Sequence, residues 1–161
     1  MDLIIDASSI INLANGNQLT TACQLQGYQF WLSPNVLNEC GPRNAGVLSA
    51  LLGDKRIRKF NADLIDADEY LTLLAQYELG AGETECIVIC RRNNIDLCCD
   101  DGRARRIASE LIGEDRVVGS LRVLKWCVGE GLITAEAAFD CYQHMKTAGG
   151  FLPSVELRWF E

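Results

Sequence analysis

Four acidic positions in the 161-residue chain stand where chemistry could gather: Asp6, Glu39, Glu83 and the pair Asp100-Asp101. Asp6 closes the apolar run at residues 2–5, and Asp100-Asp101 closes the strand-like stretch from Ile95 to Cys99. In a parallel sheet such strand ends share one edge, and that edge is where ligands bind in open α/β folds. Glu83 follows Gly80-Ala81-Gly82 and begins the helix that feeds the second of these strands. Glu39 lies in the last turn of a short helix opened by Ser33-Pro34. Taken singly, most of these acids have a structural reading. Asp6 and Asp100 suit helix N-caps, and Asp101, Glu83 and Glu85 suit the positive end of a helix dipole. Glu39 does not, because a carboxylate near a helix C-terminus faces the wrong end of that dipole. Carboxylates that converge on one edge repel one another unless a cation stands between them. A hard cation such as Mg²⁺ takes one or two carboxylates together with water and phosphate oxygens. Such a site activates water for attack on a phosphodiester.

The elements that must position these groups follow from apolar patterning and breakers. Strands are expected at residues 2–5, Gln29 to Leu32, Ile95 to Cys99 and Val117-Val118, with a short strand or extended link from Ile57 to Phe60. Helices are expected over Ser8 to Ala14, Gln18 to Leu25, Asn35 to Cys40, Val47 to Leu52 and Leu64 to Leu79. Further helices are expected over Glu83 to Arg92, Arg103 to Leu111, Leu121 to Val128 and Ala135 to Lys146. Ser33 as N-cap with Pro34 in the first turn is a helix start, and Gly41-Pro42 reads as its stop. The tail from Val155 to Phe160 alternates apolar and polar residues and predicts an edge strand. Short apolar strands separated by helices make an α/β domain with a mostly parallel sheet covered on both faces. No linker or repeat interrupts the pattern, so residues 1–161 read as a single domain.

Composition narrows the class. With 48% hydrophobic residues and three prolines, the chain is neither disordered nor of low complexity. It has no apolar run near the ~20 residues of a membrane span and no signal-peptide core at its start, which predicts a cytoplasmic protein. The net charge of −7 argues against a broad basic surface for nucleic acid. It leaves room for an enzyme that meets phosphates through bound cations. The eight cysteines, at 23, 40, 86, 90, 98, 99, 127 and 141, contain no CxxC pair, and His144 is the only histidine. They read as compact buried hydrophobes, not as a zinc site or a disulfide framework.

Along the chain, the ordered motifs resemble those of PIN-domain nucleases. Asp6-Ala7-Ser8-Ser9-Ile10-Ile11 is similar to the family's amino-terminal motif, and Ser33-Pro34-Asn35-Val36-Leu37-Asn38-Glu39 to its Pro-x-Val-x-x-Glu segment. Gly82-Glu83-Thr84-Glu85-Cys86-Ile87 resembles the Gly-Glu-x-Glu-Ala-Ile helix of one branch, with Cys86 in place of Ala. Asp100-Asp101-Gly102-Arg103-Ala104-Arg105 resembles that branch's Asp-Asp-x-x-Ala-Arg. Val118-Gly119-Ser120-Leu121-Arg122-Val123-Leu124 and then Gly131-Leu132-Ile133 resemble its Gly-Thr-x-x-Leu and Gly-Leu-Ile patterns, with Ser120 replacing Thr. Each motif is weak alone; the ordered set is specific.

The resemblance implies a three-layer α/β/α sandwich and an acidic cluster that binds Mg²⁺ or Mn²⁺ and hydrolyses RNA. It implies Asp6, Glu39, Glu83 and Asp101 as catalytic acids, with Asp100 among the metal ligands. Ser8, Glu85, Arg103 and Arg105 become supporting or substrate-binding residues. The doubled acids leave both members of Glu83/Glu85 and of Asp100/Asp101 open as the direct ligand. Many family members are VapC-type toxins, which implies an antitoxin and a homodimer as partners. Arg103, Arg105 and Arg106 follow the Asp pair and suit phosphate contacts, as does the second basic run Lys55, Arg56, Arg58 and Lys59. A solvated surface explains that second run equally well. Trp31, Trp126 and Trp159 read as packing anchors in preference to base-stacking platforms. The competing reading is a catalytically silent PIN-like module that binds a protein or RNA. A receiver-type phosphotransfer domain has its acids in a different order.

Overall fold

The computed structural model describes residues 1–161. Its centre is a five-stranded, all-parallel sheet with strand order β3-β2-β1-β4-β5. The strands are β1 (Asp2–Ile5), β2 (Gln29–Leu32), β3 (Ile57–Lys59), β4 (Asp96–Cys98) and β5 (Val117–Val118). β1 is the middle strand, with Leu3 opposite Phe30 of β2 and Asp96 of β4. Leu3, Ile4 and Ile5 are essentially inaccessible, as a strand covered on both faces must be. Between strands run α1 (Ala7–Asn15), α2 (Leu19–Ala22), α3 (Pro34–Glu39), α4 (Gly41–Gly53), α5 (Ala67–Tyr77), α6 (Ala81–Asn93) and α7 (Gly102–Ile112). α8 (Ser120–Gly129) and α9 (Ala135–Thr147) follow β5. The helices flank the sheet on both sides as an α/β/α sandwich around one cluster of 42 buried apolar residues.

The chain winds outward from β1 through β2 to β3, then returns to place β4 on the other side of β1. That reversal opens a crevice at the C-terminal ends of β1 and β4, the switch point where ligands sit in such sheets. Asp6 and Asp100 stand on its two sides.

Local chemistry explains most helix boundaries. Ser33 caps α3 by accepting from the Val36 N–H at 3.3 Å, with Pro34 in the first turn, as expected. Gly41-Pro42 does stop α3, but it also starts α4 six residues before the expected Val47. Gly41 takes φ +69°, a conformation glycine adopts freely, and Pro42 fits the first turn of the next helix. α5 is shorter than its apolar period, because Asp66 caps it by accepting from the Glu69 N–H at 2.8 Å. Gln18 to Leu25 yields only the one-turn α2.

The tail is a correction. Val155 to Phe160 is not an edge strand; it is irregular and ends in a 3-10 turn at Leu157–Trp159. β5 is two residues long and offers little edge to pair with. The Tyr142 hydroxyl instead takes up the tail backbone, donating to the Pro153 carbonyl and accepting from the Val155 N–H. The alternation places Val155 and Trp159 against the core and leaves Leu157 half-buried, while Glu156 and Arg158 between them face water.

All eight cysteines are buried free thiols. Burial pushes the Cys23, Cys40, Cys127 and Cys141 thiols up to about 12, so they stay protonated and serve as packing groups.

Candidate active site

The site is built outward from Asp6, which is 2% exposed at the end of the central strand. It caps α1: its Oδ2 accepts from the Ser8 N–H at 3.1 Å and from the Ser8 hydroxyl at 2.6 Å. The Cys99 thiol points at the same oxygen from 3.5 Å. Oδ1 of Asp6 is buried with no hydrogen-bond partner. A buried carboxylate oxygen left bare is costly unless something positive or hydrogen-bearing reaches it.

Across the crevice, Asp100 is held by both oxygens. Oδ2 accepts from Asn12 Nδ2 at 2.7 Å, and Oδ1 from the Ser120 N–H at the start of α8 at 2.8 Å. The Asp100 N–H donates to Ser8 Oγ at 3.0 Å, so one serine joins the two aspartates. Gly119 is part of this packing, since a Cβ there would lie 2.6 Å from Asp100 Oδ1 and 2.8 Å from Arg105 Nη1. Its neighbour Asp101 is exposed and caps α7, its Oδ1 accepting from the N–H groups of Arg103 and Ala104. The N-cap of α7 is therefore Asp101 and not Asp100.

The other two acids arrive from distant parts of the chain. Glu39 Oε1 accepts from the Gly82 N–H at 2.8 Å. A Cβ at Gly82 would stand 2.5 Å from Glu39 Oε2, so only glycine leaves room for this carboxylate. Glu83 stands in the first turn of α6 in a capping box, its Oε2 accepting from the Gly80 N–H at 2.9 Å. Burial pushes the Glu83 carboxyl up against the pull of the Gly80 N–H, and the negative charges of Asp6, Asp101 and Glu39 push it further. Three of the other candidate acids thus lie near enough to bear on the charge of Glu83.

Glu85 is turned elsewhere. It is 6% exposed, accepts from the Asn35 N–H at 2.8 Å and from Asn35 Nδ2 at 3.2 Å, and ties α6 to the start of α3. The arginines are likewise engaged locally. Arg103 donates to the Tyr77 carbonyl at 2.7 Å with Glu78 nearby, and Arg105 donates to the Cys99 carbonyl at 2.8 Å. The second basic run lies around β3 at the far edge of the sheet, with Arg58 stacked over Trp31. His144 is exposed.

Three residues of this arrangement were given no role by the motifs: Asn12, which lies outside them, and Gly82 and Gly119, which lie within them. For Asn12 a signal existed, because it lies four residues after Ser8 and so shares its helix face, in an otherwise apolar stretch. The spaces at Gly82 and Gly119 depend on partners 43 and about 19 positions away, and no local pattern shows them.

The donors fit a hard divalent cation in part. An orphaned buried oxygen on Asp6 and a Glu83 carboxyl raised by burial and then by its acidic neighbours are what a shared cation would relieve, and the glycine at 82 leaves room for Glu39 beside them. All are oxygen donors, which suits Mg²⁺ or Mn²⁺ and not a thiophilic metal. No three His, Cys, Asp or Glu side chains stand close enough to form a closed cage. The chemistry therefore resembles a site of one or two direct carboxylates completed by water and substrate oxygens.

The charge crowding gives a direct expectation. Because the folded protein holds the Glu83 proton more tightly than the unfolded chain, stability from this group is full below the ordinary carboxylate range. It falls as pH rises from there through the raised value, and stays low above it. In metal-free buffer with EDTA, Glu83→Gln should melt above the wild type at neutral pH, and the difference should vanish near pH 4. Gln keeps an acceptor for the Gly80 N–H. Equal melting temperatures at both pH values would show that neither the burial of this carboxylate nor the crowding around it has energetic weight.

No curated protein and no solved structure matches the chain. A family model described as a PIN domain matches residues 2–158, nearly the whole of it. PIN domains are in general metal-dependent nucleases that act on nucleic acid. With the parallel sheet and the acids at its switch point, that match places the chain in the PIN-domain family.

Proposed function

We propose that the protein is a divalent-metal-dependent endoribonuclease whose site is formed by Asp6, Glu39, Glu83 and Asp101, with Asp100 in support. The observation that carries the reading is the buried, partnerless Oδ1 of Asp6 at the switch-point crevice, near a Glu83 carboxyl raised by burial and by the neighbouring acids. One or two of Asp6, Glu39 and Glu83 would hold the ion directly, with the remaining acids and Asp101 at the start of α7 reaching it through water. A divalent ion bound there would acidify the attacking water and offset charge on the phosphodiester. Ser8 fixes the Asp6 carboxylate through Oδ2 and leaves Oδ1 free. Asn12 and the Ser120 N–H fix Asp100 so firmly that its role is to hold the crevice in shape. Glu85 positions α6 in the same way.

Within this reading Mg²⁺ or Mn²⁺ is the ion and RNA the substrate, in the cytoplasm, with one domain over residues 1–161. A toxin's pairing with an antitoxin and a homodimer rest on the resemblance to VapC-type relatives. No helix is long and apolar enough to cross a membrane.

A second reading has its own observation: Asp6, Asp101 and Glu83 all act as helix caps, and no closed cage exists. These facts suit a silent PIN-like module. One experiment separates the two. Saturating Mn²⁺ should stabilise a nuclease by roughly 2.7 kcal/mol at 100 times the dissociation constant, and labelled RNA should be cut internally only with the ion present. EDTA should abolish both effects. A protein that neither gains stability from Mn²⁺ nor cuts RNA is the silent module.

A further inference from the structure

Residues 149–155 leave α9 and pass over the acidic edge. Gly149 takes φ +97°, and the N–H groups of Gly149 and Gly150 donate to the Lys146 and Met145 carbonyls at 3.0 and 2.9 Å. Gly150 is pressed so close to α1 that a Cβ there would lie 2.6 Å from Asn12 Oδ1, on the same asparagine that holds Asp100. Beyond it, the Tyr142 hydroxyl clamps Pro153 and Val155. The segment is pinned on both sides of Phe151, yet that ring is 97% exposed, whereas the other exposed large apolar residues reach 60% at most.

The position of the ring gives the exposure a use. Phe151 borders a hollow of about 210 Å³ together with Ser8, Asn12, Asp100 and Asp101. On its other side Asp100 also lines a cleft of about 700 Å³ that contains Arg105 and Arg122. The tryptophans are all engaged within the chain: Trp31 with Phe60, Trp126 stacked on Tyr28, and Trp159 with Phe160, Arg122 and Lys125. Phe151 offers the most exposed aromatic face beside the acids.

Building on the nuclease reading, we infer that Phe151 is a stacking platform for an unpaired nucleobase of the RNA beside the acidic edge. A chain with net charge −7 gains little from general attraction to phosphates. Base–aromatic stacking does not depend on charge, and it needs a base whose face is free, which a duplex does not present. A strand stacked on Phe151 passes Asp100 toward the cleft, where Arg105 and Arg122 are the cations available to its phosphates beside the acids Glu114 and Asp115.

The test measures fluorescence anisotropy of labelled oligoadenylate, oligouridylate and an RNA duplex with the full-length protein in EDTA, where nothing is cut. Wild type should bind oligoadenylate best, because purines stack more strongly, and the duplex worst. Phe151→Ala and Phe151→Leu should each weaken oligoadenylate binding about ten-fold, and Phe151→Trp should match or exceed wild type. With Mn²⁺ the loss should fall on KM and not on kcat. Leucine keeps the apolar surface without the ring face, so a Phe151→Leu protein that binds like wild type overturns the inference. A wild type that binds no single strand overturns it as well. So does a wild-type dimer in sedimentation that Phe151→Ala splits while RNA binding is unchanged, which would place a second copy on the ring. Wild type that binds as expected but never cuts leaves the platform standing and removes the nuclease. Metal-dependent cutting that Phe151→Ala leaves untouched does the reverse.

Discussion

Asp6→Asn is expected to lower metal-dependent cleavage by more than about 100-fold, because even the partners of metal ligands are worth 10–100-fold. It should also erase the stabilisation by Mn²⁺, since a neutral amide is a poor ligand for a hard cation. Metal-free stability should hold within about 1 kcal/mol or rise, because Asn caps a helix as well as Asp does and one source of repulsion is gone. The side-chain oxygen of Asn still accepts from the Ser8 N–H and hydroxyl, where Asp6 Oδ2 now does. Thermal unfolding with and without Mn²⁺, read beside a cleavage assay, separates a ligand from a cap. Glu39→Gln should follow the same pattern, and Asp140→Asn, on an exposed turn of α9 away from the acids, should change nothing. An Asp6→Asn protein that cuts at the wild-type rate would remove Asp6 from the site and the shared ion with it.

Asp100→Ala is expected to act on the fold instead. Its two carboxylate oxygens take one N–H from Asn12, itself 6% exposed, and one from the backbone of Ser120. Hydrogen bonds to a charged group contribute about 1.5–3 kcal/mol each, and the abandoned donors stay partly buried. A loss of about 3 kcal/mol or more in urea-melt stability follows, with cleavage falling as the crevice loosens. Asp100→Asn should recover part of it, because an amide oxygen satisfies one of the two donors. A full-strength Asp100→Ala protein would mean that water replaces both donors' partner without loss, and that α1, β4 and α8 do not depend on this carboxylate. Adjacent aspartates would thus divide the work: Asp100 holds the structure, while Asp101 caps α7 and faces the site.

Much of this was legible from residue types alone. The three apolar residues before Asp6 and the Ser33-Pro34 start act through neighbours a few positions away and match expectation, whereas the helix expected from Glu83 already begins at Ala81, with only Gly80 left outside it. The cysteines read as core thiols because nothing around them in sequence offered a partner, and all eight are buried and free. Errors came where one local signal had two uses. Gly41-Pro42 ends one helix and begins another, and the alternation of the tail serves packing where no strand edge is available.

The sequence by itself determined the α/β order, the positions of the strands and the set of acids from which a site could be drawn, because these depend on short-range preferences and apolar periodicity. Only the tertiary structure decided how the members of each acidic pair differ. Glu85 turns to Asn35, 50 residues away, while Glu83 lies near enough to Asp6, Asp101 and Glu39 for their charges to bear on it. Gly82 makes room for Glu39 across 43 residues, and the orphaned oxygen on Asp6 exists only because Ser8 and Cys99 meet at the other one. Side chains two residues apart on a helix point about 200° apart, so which of them reaches the crevice depends on how that helix docks. Docking is settled by contacts between distant segments, and no local pattern carries that information.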